Sequence, residues 1–159
     1  MIAGRFEAPA PIGPLTLTAD GDALTGVYFA PHRWPPDTTG WRADQGWFTA
    51  VCQQLAAYFA RDLREFDLPL APVGTPFQQR VWLALRTIPY GQTISYQTLA
   101  NRLGEPTATR AVGAANGRNP ISIIVPCHRV IGADGRLVGF GGGIERKQAL
   151  LDLETPRLF

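Results

Sequence analysis

Ile124-Val125-Pro126-Cys127-His128-Arg129-Val130 sets a thiol, an imidazole and a guanidinium side by side, at the end of the apolar run Ile121-Ser122-Ile123-Ile124-Val125. The run is expected to be buried. Pro126 fixes its own φ and biases Val125 toward extended backbone, so Cys127 is presented from a stiff platform and not from a loose loop. A cysteine attacks as thiolate, and its ordinary pKa of roughly 8.5 falls beside an imidazole or a cation. His128 and Arg129 are the candidates to lower it. Alone, a Cys-His pair is usually just a small buried hydrophobe beside a half-buried imidazole.

Downstream, Val130-Ile131-Gly132-Ala133-Asp134-Gly135-Arg136-Leu137-Val138 reads as strand, Gly/Asp turn, strand, which predicts a hairpin directly after the pair. The glycine-rich segment Gly139-Phe140-Gly141-Gly142-Gly143 follows. It has neither of the glycine spacings that cradle phosphates between a strand and a helix.

Upstream, Thr75-Pro76 marks a helix start, with an N-cap followed by Pro at the first helical position. Phe77, Val81, Ala84, Leu85 and Ile88 form its apolar stripe, and Pro89-Tyr90-Gly91 stops it. Ser95 caps a second helix that ends at Gly104, and Pro106-Thr107 opens a third from Ala108 to about Gly117. Two short helices about a Gly-containing turn read as a helix-turn-helix, although a plain αα corner has the same pattern. Ala111, Val112, Gly113, Ala114 and Ala115 give the third helix a nearly bare surface, suited to close backbone approach, with Arg110 as the long cation at its start.

The first third of the chain is of another kind. Leu15-Thr16-Leu17-Thr18 and Leu24-Thr25-Gly26-Val27-Tyr28-Phe29, joined across Ala19-Asp20-Gly21-Asp22, predict a hairpin. Residues 31–46 read as a long connection, with His32 as a surface residue. From Trp47 the period is helical, with Phe48, Val51, Cys52, Leu55 and Phe59 on one face, which places Cys52 in the core. Arg61-Asp62 ends that helix, and Phe66-Asp67-Leu68 is expected as a short strand or an extended piece returning toward the sheet. A Pro-punctuated linker then divides residues 1–73 from 74–159.

The 159 residues suffice for one compact unit or two small subdomains of α+β class. No apolar run approaches the roughly 18 residues of a membrane helix, and no secretory h-region follows Met1. A cytoplasmic location fits, with Cys127 reduced and Cys52 outside any disulfide scaffold. Cys52 and His32 fall short of a zinc site, so no metal and no cofactor is expected. Residues 1–74 hold five Arg against eight acids, whereas residues 75–159 hold ten Arg plus Lys against five. The basic charge travels with the Cys half, as a polyanion partner would favour.

Pro126-Cys127-His128-Arg129-Val130, preceded by Arg110-Ala111-Val112-Gly113 and Asn119-Pro120 and followed by the Phe140 segment and Glu145-Arg146-Lys147, closely resembles the O⁶-alkylguanine-DNA alkyltransferases. The resemblance is specific from about Gly74 to Glu154 and looser upstream, at Ile12-Gly13-Pro14-Leu15. It implies a ribonuclease-H-like sheet-and-helix scaffold before the helical DNA-binding half. It also implies a monomer that flips an O⁶-alkylguanine, with O⁴-alkylthymine left open as a second substrate, out of double-stranded DNA and takes the alkyl group onto Cys127. Cooperative binding along the duplex is left open too.

In that resemblance His128 takes the thiol proton through a water, Glu154 orients His128, and Tyr96 donates to the guanine ring. Thr107, Arg110, Ala111, Gly113 and Ala114 meet the minor groove, Arg110 fills the place of the extruded base, and Arg129 counts among the DNA-binding cations. Asn119, the Asn of the hinge between the recognition helix and the Cys segment, is counted with Val130, Phe140 and Gly141 in the substrate pocket, with the carbonyls of Cys127 and Val130 accepting from the guanine amino group and the Gly141 N–H facing the target oxygen. The family usually has Tyr where Phe140 stands, which bears on substrate range, and the glycines after it predict a more flexible lid. Two rivals use the same residues: a Cys-His-Glu hydrolase that turns over, and a lesion sensor that needs the helices but not the thiol.

Overall fold

The computed structural model describes residues 1–155. Strands β1 (Ile2–Glu7), β2 (Pro14–Asp20) and β3 (Ala23–Phe29) form an antiparallel meander, in which Leu15 pairs with Phe29 and Leu17 with Val27. The β2–β3 hairpin is the one expected, and Gly21 makes its turn at a φ of +62°. β1 escapes sequence reading because its inward positions are Ile2, Gly4 and Phe6. The ring of Phe48 occupies the space a Gly4 side chain would need, 2.5 Å from where a Cβ would sit.

The long connection supplies a two-residue edge strand, β4 (Arg42–Ala43), parallel to β1, so the sheet order is β3-β2-β1-β4. Helix α1 (Thr49–Phe59) packs Val51, Leu55 and Tyr58 inward. Cys52 is not in the core as expected. It is half-buried beside β1, where its thiol faces the Arg5 carbonyl at 3.6 Å. Arg61 ends the helix segment at a φ of +63°.

Phe66-Asp67-Leu68 forms no strand and is the non-helical piece that returns toward the sheet. The chain meets the free edge of β3 later, at a single bridge between Leu24 and Leu70, where Leu24 N–H donates to the Pro69 carbonyl at 2.9 Å. Pro69 has no N–H, so the ladder cannot extend through it.

Helix α2 (Pro76–Leu85) carries the full capping box: Gln78 N–H donates to Thr75 Oγ1 at 3.1 Å and Thr75 N–H to Gln78 Oε1 at 2.9 Å. Strand β5 (Ile94–Ser95) leads into α3 (Tyr96–Arg102), capped by Ser95, and Gly104 at φ +73° turns the chain toward α4 (Thr109–Gly117). Gln97 fixes this helix-turn-helix by donating to the Asn101 side chain and the Pro106 carbonyl and accepting from the Thr109 hydroxyl.

No hairpin follows the Cys-His pair. Strand β6 (Val130–Ile131) pairs in parallel with β5, Ile94 facing Val130 and Ser95 facing Ile131. The Gly/Asp turn forms, with Gly132 N–H donating to the Arg136 carbonyl, but Val138 is exposed and its carbonyl accepts from side chains in place of a strand. Helix α5 (Ile144–Glu154) closes the described chain, and one continuous apolar core joins the sheet, α1 and the helical half.

Replacing Thr75 by Ala removes the acceptor of the capping box. Unfolding in denaturant should register a loss of about 1 kcal/mol with an unchanged slope.

Candidate active site

The apolar run before the nucleophile is buried as expected, but as a turn. Val27 N–H donates to the Pro120 carbonyl and Ser122 N–H to the Val27 carbonyl, so the segment docks on the free edge of β3. Ile123 follows at a φ of +73°, a region sparsely populated by β-branched residues. Asn119 holds this turn: its Nδ2 donates to the Val125 carbonyl at 2.8 Å and its Oδ1 accepts from Ile121 N–H at 3.0 Å. Asn119 thus stands at the hinge between α4 and the Cys segment that the resemblance implies, and its bonds go to the backbone that carries the nucleophile.

Cys127 opens a 3-10 turn over Cys127–Arg129 and is buried. Burial pushes its thiol up, partly countered by Asn119, by the Lys147 charge and by the N–H groups of Cys127 and His128. At rest it is a thiol, so a base is needed to ionise it.

Glu154, at the end of α5, gathers the groups that supply one. Its Oε2 accepts from His128 Nε2 at 2.7 Å, from the Tyr58 hydroxyl at 2.5 Å and from Arg129 Nη2 at 3.0 Å, and its Oε1 accepts from Arg129 Nε at 2.7 Å. Burial pushes this carboxyl up, but the hydrogen bonds from His128 and Arg129 and the Arg129 charge outweigh burial and hold it well below the usual carboxylate range. Burial lowers the His128 pKa against the pull of Glu154, so the imidazole is neutral near pH 7 and Arg129 supplies the balancing charge. An ionised carboxylate can only accept, which puts the imidazole proton on Nε2. His128 Nδ1 therefore carries the lone pair, buried and without a partner among the described residues.

Arg129, expected on DNA, is instead committed inside: beyond Glu154, its Nη1 donates to the Ile88 carbonyl at 2.6 Å. Its charge is needed beside the buried carboxylate. The sequence pattern puts Phe59 on the inward face, but it is Tyr58 that continues the buried Val51–Leu55 stripe and reaches the carboxylate.

Lys147 is the second residue whose role the sequence left open. It is fully buried, donating from Nζ to the carbonyls of Val130 at 2.6 Å and Val138 at 2.9 Å, 5.8 Å from the centre of the Tyr96 ring. Burial brings its pKa down to about 8, opposed by Cys127. Tyr96 donates its hydroxyl to the Val138 carbonyl at 2.8 Å, and burial, with Cys127 nearby, pushes its pKa up to about 12. It remains a neutral donor at neutral pH.

Thr107, Arg110, Ala111 and Ala114 share one exposed surface on and before α4, whereas Gly113 faces the Tyr96 ring. Phe140 is buried against Phe29, ring centres 5.3 Å apart. The glycines after it serve close packing: a Cβ on Gly141 would lie 2.8 Å from the His32 ring, and one on Gly142 would lie 2.5 Å from Phe29. His32 is thus no bare surface residue. It is half-buried over Gly141, stacked on Phe29, and its Nδ1 accepts from Trp34 N–H at 3.0 Å.

Glu154→Gln should lose about 3–5 kcal/mol in denaturant unfolding, because the Arg129 charge stays buried without its counter-ion. The wild-type contribution is complete above the unfolded carboxyl pKa of about 4.3 and declines as pH falls toward the depressed folded value. Stability measured from pH 7 to 3 should therefore fall below about pH 4.3 in the wild type, with that component missing in the variant.

Two family models cover most of the chain: "6-O-methylguanine DNA methyltransferase, ribonuclease-like domain" over residues 8–72 and "6-O-methylguanine DNA methyltransferase, DNA binding domain" over residues 76–156. A methylated-DNA-protein-cysteine methyltransferase of Mycobacterium tuberculosis is 57% identical over 148 residues, covering 93% of this chain and 90% of its own. One of Methanosarcina acetivorans is 49% identical over 152 residues, covering 94% and 95%. The crystal structure of Mycobacterium tuberculosis OGT in complex with DNA superposes with a TM-score of 0.91 at 55% identity, over 97% of this chain and 93% of that one. This chain belongs to the 6-O-methylguanine DNA methyltransferase family.

Proposed function

We propose that the protein repairs O⁶-alkylguanine in duplex DNA by moving the alkyl group irreversibly onto Cys127. The observation that carries this reading is the relay behind the nucleophile: a neutral His128 whose Nε2–H is held by ionised Glu154 and whose open Nδ1 lies in the residue next to a buried thiol. Helix α4, which touches the nucleophile's backbone through the bond from Asn116 to the Cys127 carbonyl, carries small side chains and Arg110 on its exposed face, in keeping with a backbone that approaches the minor groove closely.

A stacked guanine is out of reach of a buried thiol, so the base is extruded at a cost of a few kcal/mol, less for a lesion that pairs poorly. Arg110 takes its place in the stack. The thiol proton passes through a water to His128 Nδ1, the sulfur forms a bond to the alkyl carbon, and the carbon–oxygen bond breaks with its electrons leaving on the guanine. Tyr96 gives up its bond to Val138 and donates to the departing base. Imidazolium formation is stabilised by Glu154. The product thioether is a poor leaving group, so each molecule acts once. Action on DNA with a reduced thiol fits a cytoplasmic home, and among the described residues no helix is long and apolar enough to cross a membrane.

Mixing the protein with limiting and then excess O⁶-methylguanine duplex should place a single methyl on Cys127, with repair stopping at equivalence and absent in Cys127→Ser. Repair continuing past equivalence without an adduct would mean a hydrolase, and tight lesion binding without transfer a sensor. Phe140→Tyr should lower the rate on benzyl relative to methyl lesions; an unchanged ratio would remove Phe140 from the control of substrate range.

A further inference from the structure

We propose that Asn116 reads the 2-amino group of the extruded guanine, its side-chain carbonyl forming an acceptor pair with the main-chain carbonyl of Cys127. The inference rests on the alkyltransferase reading above and extends it to how the pocket selects its base.

Asn116 lies on α4 one turn beyond Gly113, on the side that faces Tyr96. It is 1% exposed. Its Nδ2 donates to the Cys127 carbonyl at 3.4 Å, and its amide also neighbours the Tyr96 hydroxyl. Nucleophile and pocket tyrosine thus flank the same side chain. Its Oδ1 is buried and has no partner among the described residues.

The orientation of the amide follows from chemistry. Reversed, Oδ1 would face the Cys127 carbonyl, setting acceptor against acceptor. With Nδ2 held there, Oδ1 is a buried acceptor without a donor, an arrangement that is both costly and rare. The other such atom is His128 Nδ1, which the proton relay already employs.

The substrate supplies a donor of the right kind. Alkylation at O6 removes the N1 proton of guanine, so the 2-amino group is the only N–H donor left on the base. The Val130 carbonyl, expected to share that group, accepts from the Lys147 ammonium at 2.6 Å and keeps one lone pair, whereas the Cys127 carbonyl accepts from the Val130 N–H as well as from Asn116. Asn116 Oδ1, which has no donor at all among the described residues, is the buried acceptor beside these two carbonyls with the most unmet capacity. An O⁴-alkylthymine has lost its N3 proton and offers this pair no donor, so the same contact ranks guanine lesions above thymine lesions.

The test compares single-turnover transfer from duplexes carrying O⁶-methylguanine or O⁶-methylhypoxanthine, which lacks only the 2-amino group. Wild type, Asn116→Leu and Asn116→Ala are measured on both. Deleting the amino group should slow the wild type about tenfold and the variants by about threefold or less, the residue reflecting the Cys127 carbonyl. Each ratio is taken within one protein, so a loss of folded molecules cancels. Rates that fall equally on both substrates would overturn the proposal, leaving Asn116 as a support for Cys127 or Tyr96. A wild-type ratio near one would overturn it whatever the variants do. Absence of any transfer from O⁶-methylguanine to the wild type would instead refute the alkyltransferase reading itself.

Discussion

One carboxylate, Glu154, holds together groups from three parts of the chain. Tyr58 comes from the helix of the N-terminal sheet unit, His128 and Arg129 come from the turn after the nucleophile, and Glu154 itself ends the last described helix. A buried charge is tolerated only with a counter-charge and a full set of hydrogen bonds, and here Arg129 and two further donors provide both. The arrangement dictates chemistry as well as stability. Because the carboxylate stays ionised, His128 must present its proton toward it and its lone pair away from it.

The nucleophile is positioned by a different constraint. The open edge of β3 is capped twice, by Leu70 from the linker and by the Pro120–Ser122 segment from the helical half. An edge strand needs its N–H and C=O groups paired or covered, and this one is covered by the segment that carries Cys127. Asn119 then clamps the turn, and Ile123 accepts an uncommon backbone conformation to let the chain enter the 3-10 turn at Cys127.

Helix α4 divides its labour by face. Arg110, Ala111 and Ala114 are exposed, whereas Val112, Ala115 and Asn116 are buried, and the Ala115 carbonyl accepts from the Trp82 indole at 2.8 Å. The helix that would lie on DNA therefore also touches the nucleophile's backbone through Asn116. Tyr96 is held by Val138 at the start of the glycine-rich segment, whose packing under His32 and Phe29 links the pocket to the N-terminal unit.

Much of this was legible in the residues themselves. Capping chemistry at Thr75 and Ser95, glycine at 104 and proline at 76 and 106 placed the starts of α2, α3 and α4 to within a residue or two, because caps and breakers act on their own neighbours, whereas α2 ends at Leu85, three residues short of Ile88. The Cys-His pair and its family motifs pointed to the chemistry for the same reason: they are contiguous. The failures were all questions of partner. Arg129 faced inward because a carboxylate 25 positions away needed its charge; Val130 and Ile131 paired with Ile94 and Ser95 and not with the segment after the turn. Tyr58, Lys147 and Asn116 looked like helix residues of no special kind. Their roles arise from burial beside polar groups distant in sequence, and only the folded chain sets the desolvation and the partners that give a buried tyrosine, lysine or asparagine its work.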